Sequence, residues 1–312
     1  MQVLTSGANR YELLAFAPDG ARLAACGWTS QVDVWDTATG GCVFTAPTEN
    51  NLGALRFHPD GTLFVGGRGL TRYTFTDRPH VCLAADAICT HLALAPDGAF
   101  ALVRVRDALR RYDCAGASEF ALAWDAPDHE YGPVIVGQGA CVLPGGDRCA
   151  TVEVVPNVPA LGARFPGLRL DAGHISLLIL RDTATAKLLQ VVPIPVAFAE
   201  RPLASPDGAR IVVLAGRSLY AFEATDLNKK PTKVMNTASK HFTAVAFDPT
   251  GRYLVAASND ATVRVLDAAT FAEVRAFTWK IGRMRSVCFS PDGLRIAAGG
   301  ERGRVVVWDA DL

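Results

Sequence analysis

The sequence predicts an all-β fold of seven short antiparallel sheets in series, each with four strands. Three observations carry this. First, Pro-Asp-Gly recurs with its proline at Pro18, Pro59, Pro96, Pro206 and Pro291. Relaxed copies at Pro144-Gly145-Gly146-Asp147 and Pro249-Thr250-Gly251 complete a set of seven. Second, these prolines lie 41, 37, 48, 62, 43 and 42 residues apart. Third, short apolar runs with period-2 alternation flank every turn. Four such runs at a period near 40 describe one blade of a β-propeller.

Each element follows from its residues. Proline fixes φ and glycine tolerates positive φ, so the tripeptide is a turn. A first strand precedes it, as in Leu13–Phe16 or Val245–Phe247, and a second follows, as in Arg22–Ala25 or Arg252–Val255. A third, alternating run ends before an acid, at Trp35-Asp36, Tyr112-Asp113, Phe222-Glu223, Leu266-Asp267 and Trp308-Asp309. A fourth run follows, such as Gly41–Thr45 or Ala272–Phe277. The chain stops after the third strand of repeat 7, so Gln2–Thr5 is expected to supply the missing outer strand and close the fold. Closure removes an edge that would otherwise template aggregation.

The last repeat, Val287 to Asp309, reads V-x-F-S-P-D-G…V-x-V-W-D and resembles the WD-repeat family. The resemblance covers nearly the whole chain and implies one closed seven-bladed propeller over residues 1–312. The family's Gly-His dipeptide before the first strand is missing in every repeat, so its His–Ser/Thr–Asp–Trp hydrogen-bonded tetrad cannot form completely. Ser258 and Asp260 match its middle members, but Leu266 stands where the tryptophan would be.

Composition sets outer limits. The chain has 312 residues, half of them hydrophobic, which excludes a disordered chain. Lys plus Arg equals Asp plus Glu at 31 each, so no global charge draws nucleic acid or an anionic membrane. No apolar stretch suits a signal peptide or a membrane span. The eight cysteines form no CxxC pair and read as buried free thiols, pointing to the cytoplasm. A monomer is favoured.

No motif of an enzyme is present: no G-x-S-x-G, no phosphate-binding loop, no H-E-x-x-H. The first strands carry no Asp or Glu, with Glu12 and Glu200 at their entrances, so the paired carboxylates that acid–base chemistry needs are missing. No histidines pair at metal-ligand spacing. The expectation is a protein without catalysis, cofactor or metal. The alternative is a ligand-binding or hydrolytic propeller with a site at a central channel.

Binding is expected at the loops joining second to third strands and fourth to first. They carry Arg68, Arg106, Arg217 and Arg302, with Trp28 and Asn259 in repeats 1 and 6. Arg10, Arg201, Arg283 and Arg285 lie in the fourth-to-first connections. Arginine suits any exposed turn, but arginine with aromatics is also the pattern of binding hot spots, and could seat an acidic or phosphorylated protein segment. Repeat 4 carries an insertion at about 155–173, with Arg164, Phe165 and Arg169, beside a connection with His129 and Tyr131. Insertions on one face of a repeat fold often mark its binding face. The turn aspartates read as turn formers, partly offset by Arg22, Arg210, Arg252 and Arg295.

Overall fold

The computed structural model of the chain describes residues 1–5, 10–27, 31–48, 53–76, 80–105, 108–115, 119–125, 136–156, 159–165 and 173–312. Strand β1 (Gln2–Thr5) comes first. Repeat 1 supplies β2 (Leu13–Phe16), β3 (Arg22–Cys26), β4 (Gln31–Asp36) and β5 (Cys42–Pro47). Repeat 2 supplies β6 (Ala54–Phe57) and β7 (Leu63–Tyr73), and shares β8 (His80–Leu94) with repeat 3. Repeat 3 adds β9 (Phe100–Val105), β10 (Ala108–Ala115) and β11 (Glu119–Asp125). Repeat 4 holds β12 (Val136–Val142), β13 (Arg148–Pro156), helix α1 (Pro159–Arg164), β14 (His174–Asp182) and β15 (Leu188–Ile194). Repeat 5 holds β16 (Glu200–Ala204), β17 (Arg210–Ala215), β18 (Ser218–Glu223) and β19 (Thr232–Met235). Repeat 6 holds β20 (Phe242–Phe247), β21 (Tyr253–Ser258), β22 (Thr262–Asp267) and β23 (Glu273–Thr278). Repeat 7 ends the chain with β24 (Met284–Phe289), β25 (Arg295–Gly300) and β26 (Arg304–Asp309).

The fold is an all-β propeller of antiparallel, mostly four-stranded blades, but the expectation of seven separate blades is corrected. There are six sheets, because repeats 2 and 3 share one, in the order β11-β10-β9-β8-β7-β6. The reason is local. No glycine or proline interrupts His80–Leu94, so β8 passes from the last strand of repeat 2 into the first of repeat 3 without a break. In repeat 2 the turn at Gly66-Gly67-Arg68-Gly69 is tight enough for β7 to reverse within itself. Arg72 Nε donates to Thr62 Oγ1 at 2.9 Å. Ten residues of straight strand would put those Cα atoms about 33 Å apart. The N-terminal strand does complete the last sheet: β1 pairs with β26, Gln2 opposite Val307 and Thr5 opposite Arg304.

The chain forms two compact units, Met1–Thr90 with Met235–Leu312, and His91–Val234. In the first, period-2 alternation sends neighbouring residues to different cores. Leu23, Ala25 and Trp35 pack with Leu4, Val305 and Val307 of the β1–β26 pair, while Ala24, Cys26, Val32 and Val34 pack with Leu55, Leu63 and Val65 of repeat 2. Repeats 6 and 7 share a third core around Val255, Val265, Met284 and Trp308. In the second unit, Val152, Leu178 and Leu180 of repeat 4 pack against Ile211, Val213 and Phe222 of repeat 5. Middle strands are covered on both faces and therefore read as apolar runs; fourth strands such as β5 and β23 are largely exposed.

The turn acids are structural. Asp19, Asp60, Asp97 and Asp292 each accept the main-chain N–H two residues on, at 2.9 to 3.0 Å. Asp36, Asp182 and Asp267, at the ends of third strands, each accept the N–H of the threonine three residues later at 2.8 Å. Arg22 and Arg295 do more than offset these acids. Arg295 donates to Gly20 O and Thr37 O, and Arg22 lies 3.4 Å from Gly61 O, so each arginine reaches main-chain carbonyls of the next repeat. Arg148 does the same to Ala224 O in the second unit.

These hydrogen bonds make stability acid-sensitive. The main-chain and hydroxyl donors hold Asp36, Asp182 and Asp267 below the usual carboxylate range. At Asp260 burial opposes ionisation, but bonds from Arg264, Thr262 and Ser258 outweigh it and bring the group to about 2. A depressed folded value gives stability that is complete above an unfolded pKa of about 4 and is lost as pH falls through the folded value. The urea midpoint should therefore be level from pH 6 to about 4 and drop steeply toward pH 2. A level midpoint over that lower window would show that these carboxylates gain nothing on folding.

The tetrad is divided among repeats. Ser258 Oγ accepts from Asn236 Nδ2 at 2.8 Å and donates to His241 O at 3.2 Å. Asp260 takes Arg264 instead, at 2.7 Å. Trp35 and Trp308 have buried indole N–H groups with no acceptor. Gly27 and Gly300 lie seven residues after turn glycines Gly20 and Gly293, as Ser258 lies after Gly251. The repeats that keep the tryptophan have lost the hydroxyl, and the repeat that keeps the hydroxyl has lost the tryptophan.

Candidate functional site

In the first unit, side chains from repeats 7 and 1 converge at the loop ends. The backbone dictates this. Gly300 closes β25 against Ile281, where an ideal Cβ would sit 2.6 Å from Ile281 O. Glu301 N then lies 3.2 Å from Arg283 O, which sets Gly282-Arg283 beside Glu301-Arg302. Arg285 pairs with Glu301, and Arg283 Nε stands 3.8 Å from the same carboxylate with 61% of its side chain exposed. The Arg285 hydrogen bond, then the charges of Arg285, Arg283 and Arg10, hold Glu301 below the ordinary glutamate range despite some desolvation. Arg10 pairs with Glu12 next door.

That neighbouring segment is fixed by a buried network. Tyr11 is fully buried, its ring edge-on to Trp35, and its hydroxyl donates to Asp33 Oδ2 at 2.7 Å. Gln31 Nε2 and Thr45 Oγ1 also donate to Asp33, each at 2.9 Å. A buried carboxylate needs several donors, and these come from two strand positions and the connection itself.

The structure treats the expected binding residues unevenly. Arg283 and Arg302 come together, and both are exposed. Arg68 is exposed on β7 in the same unit, and Arg217 is exposed between β17 and β18 in the other. Asn259, in repeat 6, is partly exposed; its N–H donates to His241 O, and its buried Oδ1 has no donor. Arg164 is exposed at the end of α1, a helix not anticipated within the insertion. Phe165 packs on Val155, Leu161, Ile175 and Leu177, so much of its ring serves the core. Trp28, Arg106, His129, Tyr131 and Arg169 lie outside the described residues. Sequence reasoning missed Glu12 and Glu301 as partners of the arginines; the run Glu301-Arg302-Gly303-Arg304 was the available signal.

Among the described residues, no group of three or more His, Cys, Asp or Glu side chains is placed to hold a metal ion. Glu200 is the first residue of β16, and lies 3.8 Å from Arg201. Cys141, Cys149 and Cys288 are pushed up to about 12 by burial, so these thiols stay protonated and unreactive near neutral pH. No helix among the described residues is long and apolar enough to cross a membrane.

Comparison with known proteins bears on the whole arrangement. A model of the family "WD domain, G-beta repeat" matches residues 229–267 and 277–309. The WD repeat, SAM and U-box domain-containing protein 1 of Danio rerio is 29% identical over 97 residues, 30% of this chain. The human serine-threonine kinase receptor-associated protein is 29% identical over 107 residues, 33% of this chain. This chain thus carries WD repeats at residues 229–267 and 277–309. It spans only 20% and 29% of the lengths of those two relatives. Among solved structures, this WD-repeat chain resembles Kuenenia stuttgartiensis hydrazine synthase, with TM-score 0.76 and 16% identity, over 99% of this chain and 97% of that one. It is equally similar to the Myceliophteria thermophila Cps50 (Swd1) β-propeller domain, at 0.76 and 17% identity over 98% of each chain. At such identities both likenesses concern the fold alone.

Proposed function

We propose that this WD-repeat protein is a non-catalytic, cytoplasmic scaffold that docks an acidic or phosphorylated protein segment on its loop ends. The observation that supports this best is the meeting of Arg283 and Arg302, both exposed, on a framework fixed by Glu301, Tyr11 and Asp33. Rigid support of this kind lowers the ordering cost of binding. Exposed guanidinium groups offer planar forks to carboxylate or phosphate. Asn259, with a spare acceptor, suits a main-chain N–H of the bound segment. Arg68 adds charge in the same unit; Arg217, Arg164 and Phe165 offer a separate surface in the other.

The test is affinity capture from native lysate with mass spectrometry, using two charge-reversed variants. One carries Arg68, Arg283 and Arg302→Glu, and the other Arg164 and Arg217→Glu. All five side chains are exposed, so folding should survive, as circular dichroism can verify. A partner that wild type retains should fall about tenfold or more with the first variant. Equal retention by wild type and both variants would refute the loop-end reading.

A further inference from the structure

A cavity of about 230 Å³ opens in the first unit where β1 completes the last sheet. Gln2, Thr37, Arg295, Val307 and Asp309 line it, with Met1 beside them. Arg295 opens β25 and Asp309 closes β26, at the opposite end of those strands from Arg283 and Arg302. The origin of the cavity is topological. In repeats 1, 4 and 6 the acid that ends the third strand is spent on the hairpin that follows. Asp36, Asp182 and Asp267 each take a main-chain N–H at 2.8 Å and a threonine hydroxyl at 2.7 or 2.8 Å. β26 ends in the equivalent acid, but its outer neighbour is β1 and not a hairpin strand. Among the described residues the Asp309 carboxylate has neither hydrogen bond nor ion pair. Arg295 stands opposite Asp309 in register, yet its guanidinium is drawn toward repeat 1, donating to Thr37 O at 3.3 Å and Gly20 O at 3.1 Å. A guanidinium has five N–H groups, so about three stay available. Gln2 Nε2 donates to Ala38 O at 3.2 Å, which leaves Gln2 Oε1 buried without a donor. A buried acceptor of this kind calls for a partner.

We infer that this cavity binds a small free α-amino acid, its carboxylate on Arg295 and its ammonium shared by Asp309 and Gln2 Oε1. This goes beyond the scaffold reading and does not depend on it. A lone anion would leave Asp309 and Gln2 Oε1 unmet, and a lone cation would leave the spare N–H groups of Arg295 unused. A zwitterion meets both walls at once, because the cation and the acid that line the cavity are held apart. A hydroxyl on the ligand adds the second donor that threonine gives to the acid in repeats 1, 4 and 6. Size agrees. Liquid water takes about 30 Å³ per molecule, so the space suits a ligand of a few heavy atoms with some water. Drug-sized ligands need about 300 Å³ or more, which sets a nucleotide or a longer peptide aside.

Calorimetric titration of the untagged full chain with L-threonine tests this, against two analogues that each lack one charge. They are 3-hydroxybutanoate, without the ammonium, and 1-aminopropan-2-ol, without the carboxylate. L-threonine should bind saturably with a Kd of about 1 mM or lower, and each analogue about tenfold or more weaker. In a 15N NMR titration the main-chain amide signals of Thr37, Val307 and Asp309 should move with L-threonine, while those of Arg283 and Arg302 stay in place. Asp309→Asn should weaken L-threonine about tenfold or more, and Gln2→Leu several-fold. The Asp309 side chain is exposed, so the fold should survive its change. Asp267→Asn, which alters the same acid inside a hairpin, should leave binding as in wild type. No saturable binding up to about 10 mM, or equal affinities for L-threonine and its analogues, would overturn the inference. So would a loss with Asp267→Asn as large as with Asp309→Asn. None of these results bears on partner capture at the loop ends.

Discussion

Gly300→Ala should unfold at a markedly lower urea midpoint than wild type, with a loss of about 3 kcal/mol or more. An ideal Cβ there would lie 2.6 Å from Ile281 O and 3.1 Å from Ile281 Cγ1. A side chain could swing away, but a main-chain oxygen held in the connection cannot. Gly27→Ala should behave alike, because its Cβ would meet Arg10 O at 2.5 Å and Glu12 N at 2.9 Å. Overpacking of a close-packed interior typically costs about 1–3 kcal/mol, and contact with rigid backbone belongs at or beyond the upper end. Gly173→Ala is the control: no atom lies within 4 Å of its ideal Cβ, so the change should stay within about 0.5 kcal/mol. The comparison also probes the binding site, since Gly27 and Gly300 hold the two connections that carry Arg10 and Arg283. If Gly300→Ala unfolded at the wild-type midpoint, the close approach of these segments would be wrong.

The same glycines show what a sequence reveals and what it hides. The repeated turn and the alternating runs identify strands because turn chemistry and side-chain period are local properties. They anticipate the pairing of β1 with β26. They do not fix sheet boundaries. Repeats 2 and 3 carry recognisable turns, yet β8 runs through both, because nothing in HVCLAADAICTHLAL forces the strand to break. The loop ends were legible as a set of arginines, because residue type and repeat position are written in the chain. Their pairing was not: Glu301 and Arg285 are sixteen residues apart, and only the fold of β24 against β25 makes them meet. Tyr11 and Asp33 were equally hidden, for a polar residue in an alternating run normally faces solvent.

Glu153 is the strongest instance of that masking, and Glu153→Ala should cost about 3–5 kcal/mol. The carboxylate sits on β13 and meets Arg104 of β9 at 3.3 Å, with side chains 4% and 1% exposed. Thr151 Oγ1 donates to the same oxygen at 3.2 Å. In the sequence, Thr151 and Glu153 alternate with Val152 and Val154, which reads as a half-exposed strand. In the fold both faces of β13 are covered, and the polar face of repeat 4 is satisfied by repeat 3 instead of by water. Removing the acid takes the Glu153 counter-charge away from a buried guanidinium, and less of the desolvation spent on it is then offset. Replacing both partners by apolar residues, Arg104→Met with Glu153→Leu, should recover most of the loss, since neither charge then needs burial. Urea unfolding of the two single variants and the pair, analysed as a double-mutant cycle, measures the coupling. Between 0.1 and 0.5 M salt the coupling should barely change, because a pair this buried is poorly screened. A Glu153→Ala cost under about 1 kcal/mol would mean that water reaches the pair, and that repeats 3 and 4 are held together by their apolar contacts alone.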